Sequence, residues 1–523
     1  MHLSLFDSII VIGYILVLLT LAYYLTRRVV TPTQTTKSYF LANRDLPWWA
    51  VGAALIGANI SAEQIIALSA DGYRIGMAVA AYEWGSAIIL ILVAKYLLPV
   101  YLRRGIYTLP QLLQQRYDYR LRQILALYWL LLYVFIYLTA VLWFGANAIE
   151  KLTGIPYLFL LFGLGLTAGI YGVYGGFKPL AYIDALHLVL LLFGCSAVTY
   201  LALDKVAQVD GGTGVIHGFQ QLLQLASTRF DLVLPPQHTH YNELPGLSAI
   251  LGGMLVLHMS YWGFNQFIVQ RALAARSLRE GQKGLLFTAA IKLFLPFIIV
   301  LPGVAAVVLL PESASSPYVY TRLVEVMPSG VKGIVVVVLL AGVLSSLTAI
   351  MNTIATLFTM DLYAFGGREQ DQARLVNVGR ICCWVAIAIA VVTAIPLEGD
   401  FDRAFFYIQQ LSGVMAPGIV AVFLLGLLWS KAAVNGAYAA VICSVLMSLS
   451  FMLLMPSLPF INRVLIVFLL AIFAGIGVSL LGDLRTSSGA FRWRELDWTT
   501  GTEFKLGSAL IVMGVLTVYY VWW

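Results

Sequence analysis

Apolar stretches of about 20 residues recur along the whole chain, and each is long enough to cross the hydrocarbon core of a bilayer as a helix. Of the 523 residues, 61% are hydrophobic and 11% are charged. Soluble domains average about 45 to 50% apolar and about 25% charged residues, so a soluble core cannot account for this composition. The chain is therefore predicted to be an all-α integral membrane protein embedded in a lipid bilayer, with almost no room for aqueous domains.

These stretches predict about 14 transmembrane helices. They lie near residues 5–26, 47–70, 77–102, 123–149, 156–174, 180–203, 246–268, 284–310, 331–362, 375–395, 402–429, 436–455, 463–482 and 505–523. Lys and Arg are concentrated in alternate connections, which places those connections in the cytoplasm. Both termini are therefore expected to be extracytoplasmic, with the chain in the cell (inner) membrane. The net charge of +7 follows from this topology, and no basic tract indicates nucleic acid binding.

A polar run interrupts the second of these segments. Its sequence is Asn59-Ile60-Ser61-Ala62-Glu63-Gln64, inside an otherwise apolar stretch from Trp48 to Leu68. A carboxylate, two carboxamides and a hydroxyl at membrane depth are costly unless they face protein or water, so the run predicts a buried hydrophilic site. The alternative is a contact between helices, because Asn, Ser and Gln also join membrane helices by hydrogen bonds.

A second apolar segment, from Gly252 to Gln266, is interrupted in the same way by glycines and polar side chains. Five helices follow from each interruption, and because five is odd, the two halves insert upside down relative to each other. This arrangement is typical of inverted-repeat transporters, whose discontinuous helices form binding sites at the bilayer midplane. The predicted units are an extra helix and linker at 1–46, a first repeat at 47–204, an extracytoplasmic loop at 205–245, a second repeat at 246–430 and three C-terminal helices at 431–523.

Polar side chains inside the predicted helices supply both hydrogen-bond donors and acceptors, without metal-ligand spacing or a nucleophile triad. They are Asn59, Gln64, Glu83, Ser86, His258, Lys292 and Gln409. A polyhydroxylated ligand suits this mixture, because each hydroxyl donates once and accepts twice. Aromatic residues such as Tyr261 and Phe405 can cover its apolar faces. Glu83 and Lys292 either form a structural ion pair or bind ligand hydroxyls directly.

The ninth predicted helix contains Gly342 followed one turn later by Ser345 and Ser346. Their hydroxyls can join carbonyls freed at the first interruption, around Gly57 and Ile60, in an all-oxygen shell that suits an alkali cation. Alternatively, the two serines only bond the carbonyl one turn back in their own helix, as is usual for Ser and Thr in membrane helices.

Short motifs in a fixed order extend over roughly residues 38 to 430. They are Ser38–Trp49, Asn59–Gln64, Tyr82–Trp84, Tyr174–Gly176, Trp262–Gln266 through Gln270-Arg271, Ser345-Ser346, Phe358–Asp361 and Tyr407–Gln409. With these motifs the chain resembles the sodium/solute symporter family, and within it the sodium/glucose cotransporter branch, especially its bacterial sodium/galactose type.

The resemblance implies the leucine-transporter fold and sodium-coupled import of a monosaccharide such as galactose or glucose by alternating access. Matching positions imply sugar contacts at Asn59, Gln64, Glu83, Ser86, Lys292 and Gln409, an inner gate at Tyr261, and an outer gate at Leu68, Tyr82 and Phe405. They imply sodium ligands at the carbonyls of Gly57, Ile60 and Gly342 and the hydroxyls of Ser345 and Ser346. Asp184 matches an acidic residue on the ion's exit path or at a second sodium site, to which Thr348 can contribute.

Three positions depart from the family's pattern. His258 stands where the galactose type has a sugar-binding asparagine, Leu68 replaces a gating methionine, and Ile183 replaces a threonine. The alternatives are a sodium symporter for a cyclic polyol, a sialic acid or another organic solute, and a membrane solute sensor. An enzyme using Glu63 and Glu83 for acid/base chemistry is a third class, and the chain is expected not to be an enzyme.

Overall fold

The structure is a computed structural model that describes residues 3–29, 34–310, 318–364, 371–398, 413–481, 491 and 498–523. This part of the chain is helical, with one isolated β-bridge between Leu46 and Ala275. The bridge is built by hydrogen bonds from Leu46 N–H to the Ala274 carbonyl at 3.0 Å and from Arg276 N–H to the Leu46 carbonyl at 3.1 Å. It connects the two segments that the sequence places before the first interruption and after the second.

The main helices are α1 (Leu5–Val29), α2 (Trp48–Asn59), α3 (Ala62–Arg74), α4 (Met77–Arg104), α5 (Tyr119–Thr153), α6 (Tyr157–Gly175), α7 (Phe177–Asp210), α8 (Gly246–Gly263), α9 (Gln266–Leu273), α10 (Leu278–Leu309), α11 (Val331–Tyr363), α12 (Gln372–Leu397), α13 (Ala416–Leu428), α14 (Val434–Leu454), α15 (Phe460–Leu481) and α16 (Thr502–Val521). Shorter helices lie at Thr36–Leu41, Leu109–Arg116, Val215–Leu225 and Val319–Glu325.

Two pairs of these helices are single spans that are broken at membrane depth. The α2–α3 pair bends by 65° and the α8–α9 pair by 49°. At the first break, Ile60 and Ser61 have extended backbone conformations, which end the hydrogen-bond ladder of α2. At the second, Asn265 is extended and its side chain caps α9. Both breaks lie where polar runs interrupt apolar sequence, so the predicted discontinuous core helices are confirmed.

The described residues contain up to 13 candidate spans when each bent pair counts as one. The span predicted at 402–429 lies partly outside the described residues, and its described part includes the short apolar helix α13. Some helix ends differ from the prediction. Helix α10 begins at Leu278 rather than at 284, because the Ser277 side chain accepts a hydrogen bond from Glu280 N–H and starts the helix earlier.

Helix α11 lies at the centre of the fold, with 89% of its most apolar window buried. It packs against α1, α5, α6, α7 and α12 and also contacts α2. Helix α10 packs along both halves of the first broken span. By contrast, only 17% of the corresponding window of α16 is buried. The breaks are therefore held deep inside the bundle, while α16 presents apolar side chains outward, as a membrane-facing helix does.

Short π-helical turns occur next to the breaks. One covers Met259–Gly263 at the end of α8, and another covers Tyr133–Leu138 within α5. Such turns rotate the side chains that follow them relative to a regular helix, and they are frequent at functional sites. Here they carry Tyr261 and Tyr137, and both side chains line the cavity described next.

Candidate functional site

A cavity of about 480 Å³ lies against the first break, between α3, α4, α5 and α8. Its polar lining comes from both broken spans and from the helices that face them. The lining includes Asn59, Ser61, Glu63, Gln64, Leu68, Asp71, Tyr82, Glu83, Tyr137, His258, Ser260, Tyr261, Asn265 and Ser346. This volume lies within the range of small-molecule sites, and the lining combines carboxylates, carboxamides, hydroxyls and aromatic rings.

A hydrogen-bonded chain joins the sugar contacts implied by the resemblance. The Lys292 ammonium donates to Glu83 Oε2 at 2.6 Å and also to Asn59 Oδ1. Gln64 Nε2 donates to Glu83 Oε1 at 2.5 Å, and Asn59 Nδ2 donates to the Tyr261 hydroxyl at 3.2 Å. Residues from several helices therefore meet in one network, and Asn59, Gln64, Glu83 and Tyr261 of this network line the cavity.

Glu83 and Lys292 form a buried ion pair, with each side chain only 2% exposed. Lys292 also lies 5.2 Å from the ring centre of Trp262. It is not among the residues that line the cavity, whereas Glu83 and Asn59 are. Of the two interpretations of this pair, the structural ion pair is present, and Lys292 contacts the cavity through its two hydrogen-bonded partners.

The other implied sugar and gate residues have different surroundings. The Ser86 hydroxyl donates to the Glu83 carbonyl at 2.6 Å, and its side chain is buried in α4. His258 lines the cavity, and its Nε2 lies where a side chain at Gly85 would be, 2.7 Å from the position of a Cβ. Leu68 and Tyr82 also line the cavity. Phe405 and Gln409 lie outside the described residues.

The implied sodium ligands come together where α11 approaches the first break. The Ser346 hydroxyl lies 3.3 Å from the Gly57 carbonyl and 3.4 Å from the Ala58 carbonyl. A Cβ at Gly342 would lie 3.1 Å from the Ile60 carbonyl, so glycine here lets α11 approach the break without displacing that oxygen. Oxygen atoms of the kind that hard cations prefer are therefore concentrated between α2 and α11.

Asp184 lies beside these oxygens. The Ser345 hydroxyl donates to Asp184 Oδ1 at 2.5 Å, and a Cβ at Gly57 would lie 3.3 Å from the Asp184 side chain. The Thr348 hydroxyl instead donates to the Leu344 and Ser345 carbonyls, each at 3.0 Å, as a membrane-helix Thr usually does. Asp184 therefore extends the oxygen cluster, while Thr348 is satisfied within α11.

Several residues of the site were not singled out from the sequence. Ser61, Ser260 and Asn265 line the cavity and belong to the two interrupted runs, so the polarity of those runs was a usable signal. Tyr137 also lines it, but it lies in an apolar helix and only its π-helical turn distinguishes it. The Ala58 carbonyl carries no sequence signal, because any residue supplies a carbonyl.

A sequence model of the Sodium:solute symporter family matches residues 39–444 of this chain. The chain belongs to the sodium:solute symporter family. Over 548 aligned residues it is 38% identical to a sodium/glucose cotransporter of Vibrio parahaemolyticus, and the alignment covers 100% of this chain and 99% of that one. It is 30% identical to the sodium/myo-inositol cotransporter 2 of Mus musculus over 474 residues, which cover 85% of this chain and 69% of the relative.

The fold resembles that of a Na⁺-coupled sialic acid symporter solved in a substrate-bound, outward-open state. The TM-score is 0.81 at 20% identity, with 92% of this chain and 98% of that chain covered. The predicted leucine-transporter fold and the resemblance to the family are thus confirmed. The chain is a multi-pass membrane transporter that uses Na⁺ as its coupling ion.

Proposed function

We propose that this symporter imports a neutral monosaccharide, such as galactose or glucose, together with sodium by alternating access. One observation carries the proposal: two different chemistries meet at one helix break. The Ser346 hydroxyl lies beside the carbonyl oxygens of Gly57 and Ala58. The carboxamides of Asn59 and Gln64, a few residues further along the same broken span, are bonded to Lys292 and Glu83. The first set of groups suits an ion, and the second suits a polyhydroxylated solute.

One set of residues is assigned to sodium and another to the sugar. Sodium binds the carbonyls of Gly57, Ile60 and Gly342 and the hydroxyls of Ser345 and Ser346, with Asp184 on its exit path or at a second site. The sugar binds Asn59, Gln64, Glu83, Ser86, His258, Lys292 and Gln409 and stacks on Tyr261, while Leu68, Tyr82 and Phe405 close the outer side. The solute crosses chemically unaltered, without an enzymatic step.

Coupling follows from differential stabilisation of one state. Sodium bound at the break favours the arrangement of α2 and α3 that completes the sugar site. If sodium stabilises this arrangement by about 1.4 kcal/mol, the population ratio of the arrangement to its alternative rises tenfold. Sodium and sugar then raise each other's affinity by the same factor. Each of the proposed repeats, at 47–204 and 246–430, contributes one broken span to the site, in an inner membrane with both termini outside.

The lining charges favour a neutral solute over an anionic one. Glu63, Asp71 and Glu83 line the cavity, and no Lys or Arg is among its described lining residues; the two nearby cations are already paired, Lys292 with Glu83 and Arg74 with Asp71. A carboxylate on the solute would add a further negative charge in this low-dielectric site. A neutral cyclic polyol is the second candidate, because its hydroxyls suit the same donors and acceptors and a myo-inositol cotransporter is among the relatives.

The decisive experiment is counterflow by the purified protein in liposomes, with a panel of labelled monosaccharides, myo-inositol and sialic acid, each with and without sodium. We expect sodium-stimulated exchange of at least one neutral hexose, with the labelled sugar recovered unchanged. Exchange of sialic acid alone, or hexose exchange that is indifferent to sodium, would contradict the proposal. Binding without any exchange would instead support a membrane sensor.

A further inference from the structure

Asp184 has a second buried neighbour that the transport mechanism does not use. His187 lies one turn later in α7, with its Nδ1 3.9 Å from Asp184 Oδ1. The imidazole is 2% exposed. Its Nε2 lies 3.1 Å from the hydroxyl of Tyr14 in α1, which is also buried. A continuous polar line therefore runs from α1 through Tyr14, His187 and Asp184 to Ser345 in α11.

The surroundings of His187 select one tautomer. In a neutral imidazole one nitrogen donates and the other accepts, and the hydrogen bond at one nitrogen decides which carries the proton. If Nε2 carried it, the lone pair of Nδ1 would face the Asp184 carboxylate, which is repulsive. If the Tyr14 hydroxyl donates to Nε2, the proton lies on Nδ1 and the N–H faces Asp184. Only this second arrangement gives attractive interactions at both nitrogens.

Other groups near His187 do not take over the role of Tyr14. The Tyr171 hydroxyl in α6 donates to the Leu344 carbonyl at 3.0 Å. Within the part of the chain that the structure describes, Nδ1 of His187 has no hydrogen-bond partner. Asp184 Oδ1 is thus approached by the Ser345 hydroxyl and the Nδ1 side of His187, and the positive charge of the buried Arg271 also acts on this carboxylate.

We propose that Tyr14 is a positioning residue for sodium. It fixes the imidazole of His187, which in turn orients the Asp184 carboxylate beside the first break. The inference rests on the proposed function, because Asp184 matters for transport only if sodium passes it. It also gives α1, which lies outside the two proposed repeats, an indirect part in ion binding, through His187 and Asp184. Groups that orient a cation's ligands commonly change its affinity when they are removed.

The test is Tyr14→Phe, which keeps the ring that packs α1 against α7 and removes the hydroxyl. The measurement is sodium activation of sugar counterflow in proteoliposomes. We expect the half-saturating sodium concentration to rise about fivefold, the loss that one buried hydrogen bond typically causes. The maximal rate at saturating sodium and the amount of folded protein should not change. The matched control is Tyr24→Phe on the exposed face of α1, which should leave the sodium curve unchanged.

A double-mutant cycle separates positioning from simple packing. His187→Gln should raise the half-saturating sodium concentration, and Tyr14→Phe should add nothing in that background, because residues acting in series are not additive. An unchanged sodium curve for Tyr14→Phe, an additive double variant, or a fall only in maximal rate or folded protein would overturn the proposal. If the unsubstituted protein shows no sodium stimulation, the proposed function fails instead.

Discussion

The two broken spans differ in the hydrogen-bond partners of the backbone groups that are freed at their breaks. At the α8–α9 break, the side-chain oxygen of Asn265 accepts hydrogen bonds from Phe267 N–H at 3.0 Å and from the Tyr133 hydroxyl at 2.6 Å. The Tyr101 hydroxyl donates to the Gly263 carbonyl at 2.8 Å. Side chains of the protein therefore satisfy this break, and it needs no ligand.

The α2–α3 break is less completely satisfied by its own side chains. Ser61 stands at the N-terminal capping position of α3, but its side chain makes no capping hydrogen bond. The Ser346 hydroxyl approaches the Gly57 and Ala58 carbonyls at 3.3 and 3.4 Å, which is long for an O–H···O hydrogen bond. Two similar interruptions in the sequence thus differ in their backbone: side chains hold the backbone of the second break, while the first leaves carbonyl oxygens available to an ion, and side chains of both spans line the cavity.

The largest expected effect comes from Glu83→Gln at the first break. It leaves the buried Lys292 ammonium without its ion partner, and breaking one side of such a pair costs about 3–5 kcal/mol. We expect loss of sugar counterflow and a large decrease in the free energy of unfolding. Glu243→Gln, at an exposed carboxylate paired with Arg74, is the matched control and should retain counterflow.

A second variant keeps this prediction testable if Glu83→Gln fails to fold. Replacing both partners, Glu83→Gln with Lys292→Met, removes the unpaired charge and should recover most of the stability. Counterflow should remain absent because the sugar-facing carboxylate is missing. A stable double variant that still exchanges sugar would show that the pair is only structural, and the two breaks would then differ less than proposed.

Ser346→Ala should have the next largest effect, which should be confined to the sodium dependence of uptake. Its hydroxyl lies close to both the Gly57 and the Ala58 carbonyls. We expect the half-saturating sodium concentration to rise at least tenfold, or about 1.4 kcal/mol, so that sodium no longer stimulates uptake at concentrations that saturate the original protein. Ser448→Ala, which removes a buried hydroxyl far along the chain in α14, is the control. Unchanged sodium stimulation in Ser346→Ala would show that sodium does not bind at this break.

The sequence predicted the existence of both breaks because polar side chains at membrane depth are costly unless they face protein or a water-filled cavity. Hydropathy reports depth along a helix but not the direction in which a side chain points. The bond between Lys292 and Asn59 joins residues from opposite halves of the chain, and no spacing in either segment indicates it. The residues of the sugar site could therefore be named from the resemblance, but their pairing required the fold.

The difference between the two breaks was also invisible in the sequence. Both contain glycine, serine, asparagine and glutamine. What separates them is the hydroxyl of Tyr133, which lies more than 100 residues earlier in the chain and reaches Asn265. The Tyr14–His187 contact is a similar case, because an isolated Tyr in an apolar helix is usually a packing residue. Both the difference between the breaks and the role of Tyr14 depend on contacts between single polar atoms that are far apart in the sequence.

His258→Asn should have a moderate effect on selectivity. The imidazole fills the space beside Gly85, and a shorter carboxamide would leave room and add a donor there. We expect the preference between hexose epimers to change by about fivefold, since a hydrogen bond to a neutral group contributes about 1 kcal/mol. Competition of epimers against labelled sugar in proteoliposomes measures it, with Gly85→Ala as a second variant that crowds the same ring. An unchanged ratio of epimer affinities in both variants would exclude His258 from selectivity.

The smallest expected effect on transport is that of Asn265→Ala at the second break. Losing the cap of α9 and the acceptor for Tyr133 should lower the free energy of unfolding by about 1 kcal/mol. The half-saturating sodium concentration should stay within about twofold of the original value, because the side chain supports the backbone and supplies no ion ligand. Tyr133→Phe should lower stability in the same direction, since it removes the other half of the contact. If Asn265→Ala instead shifts the sodium curve as strongly as Ser346→Ala, the second break also binds the ion or transmits its binding.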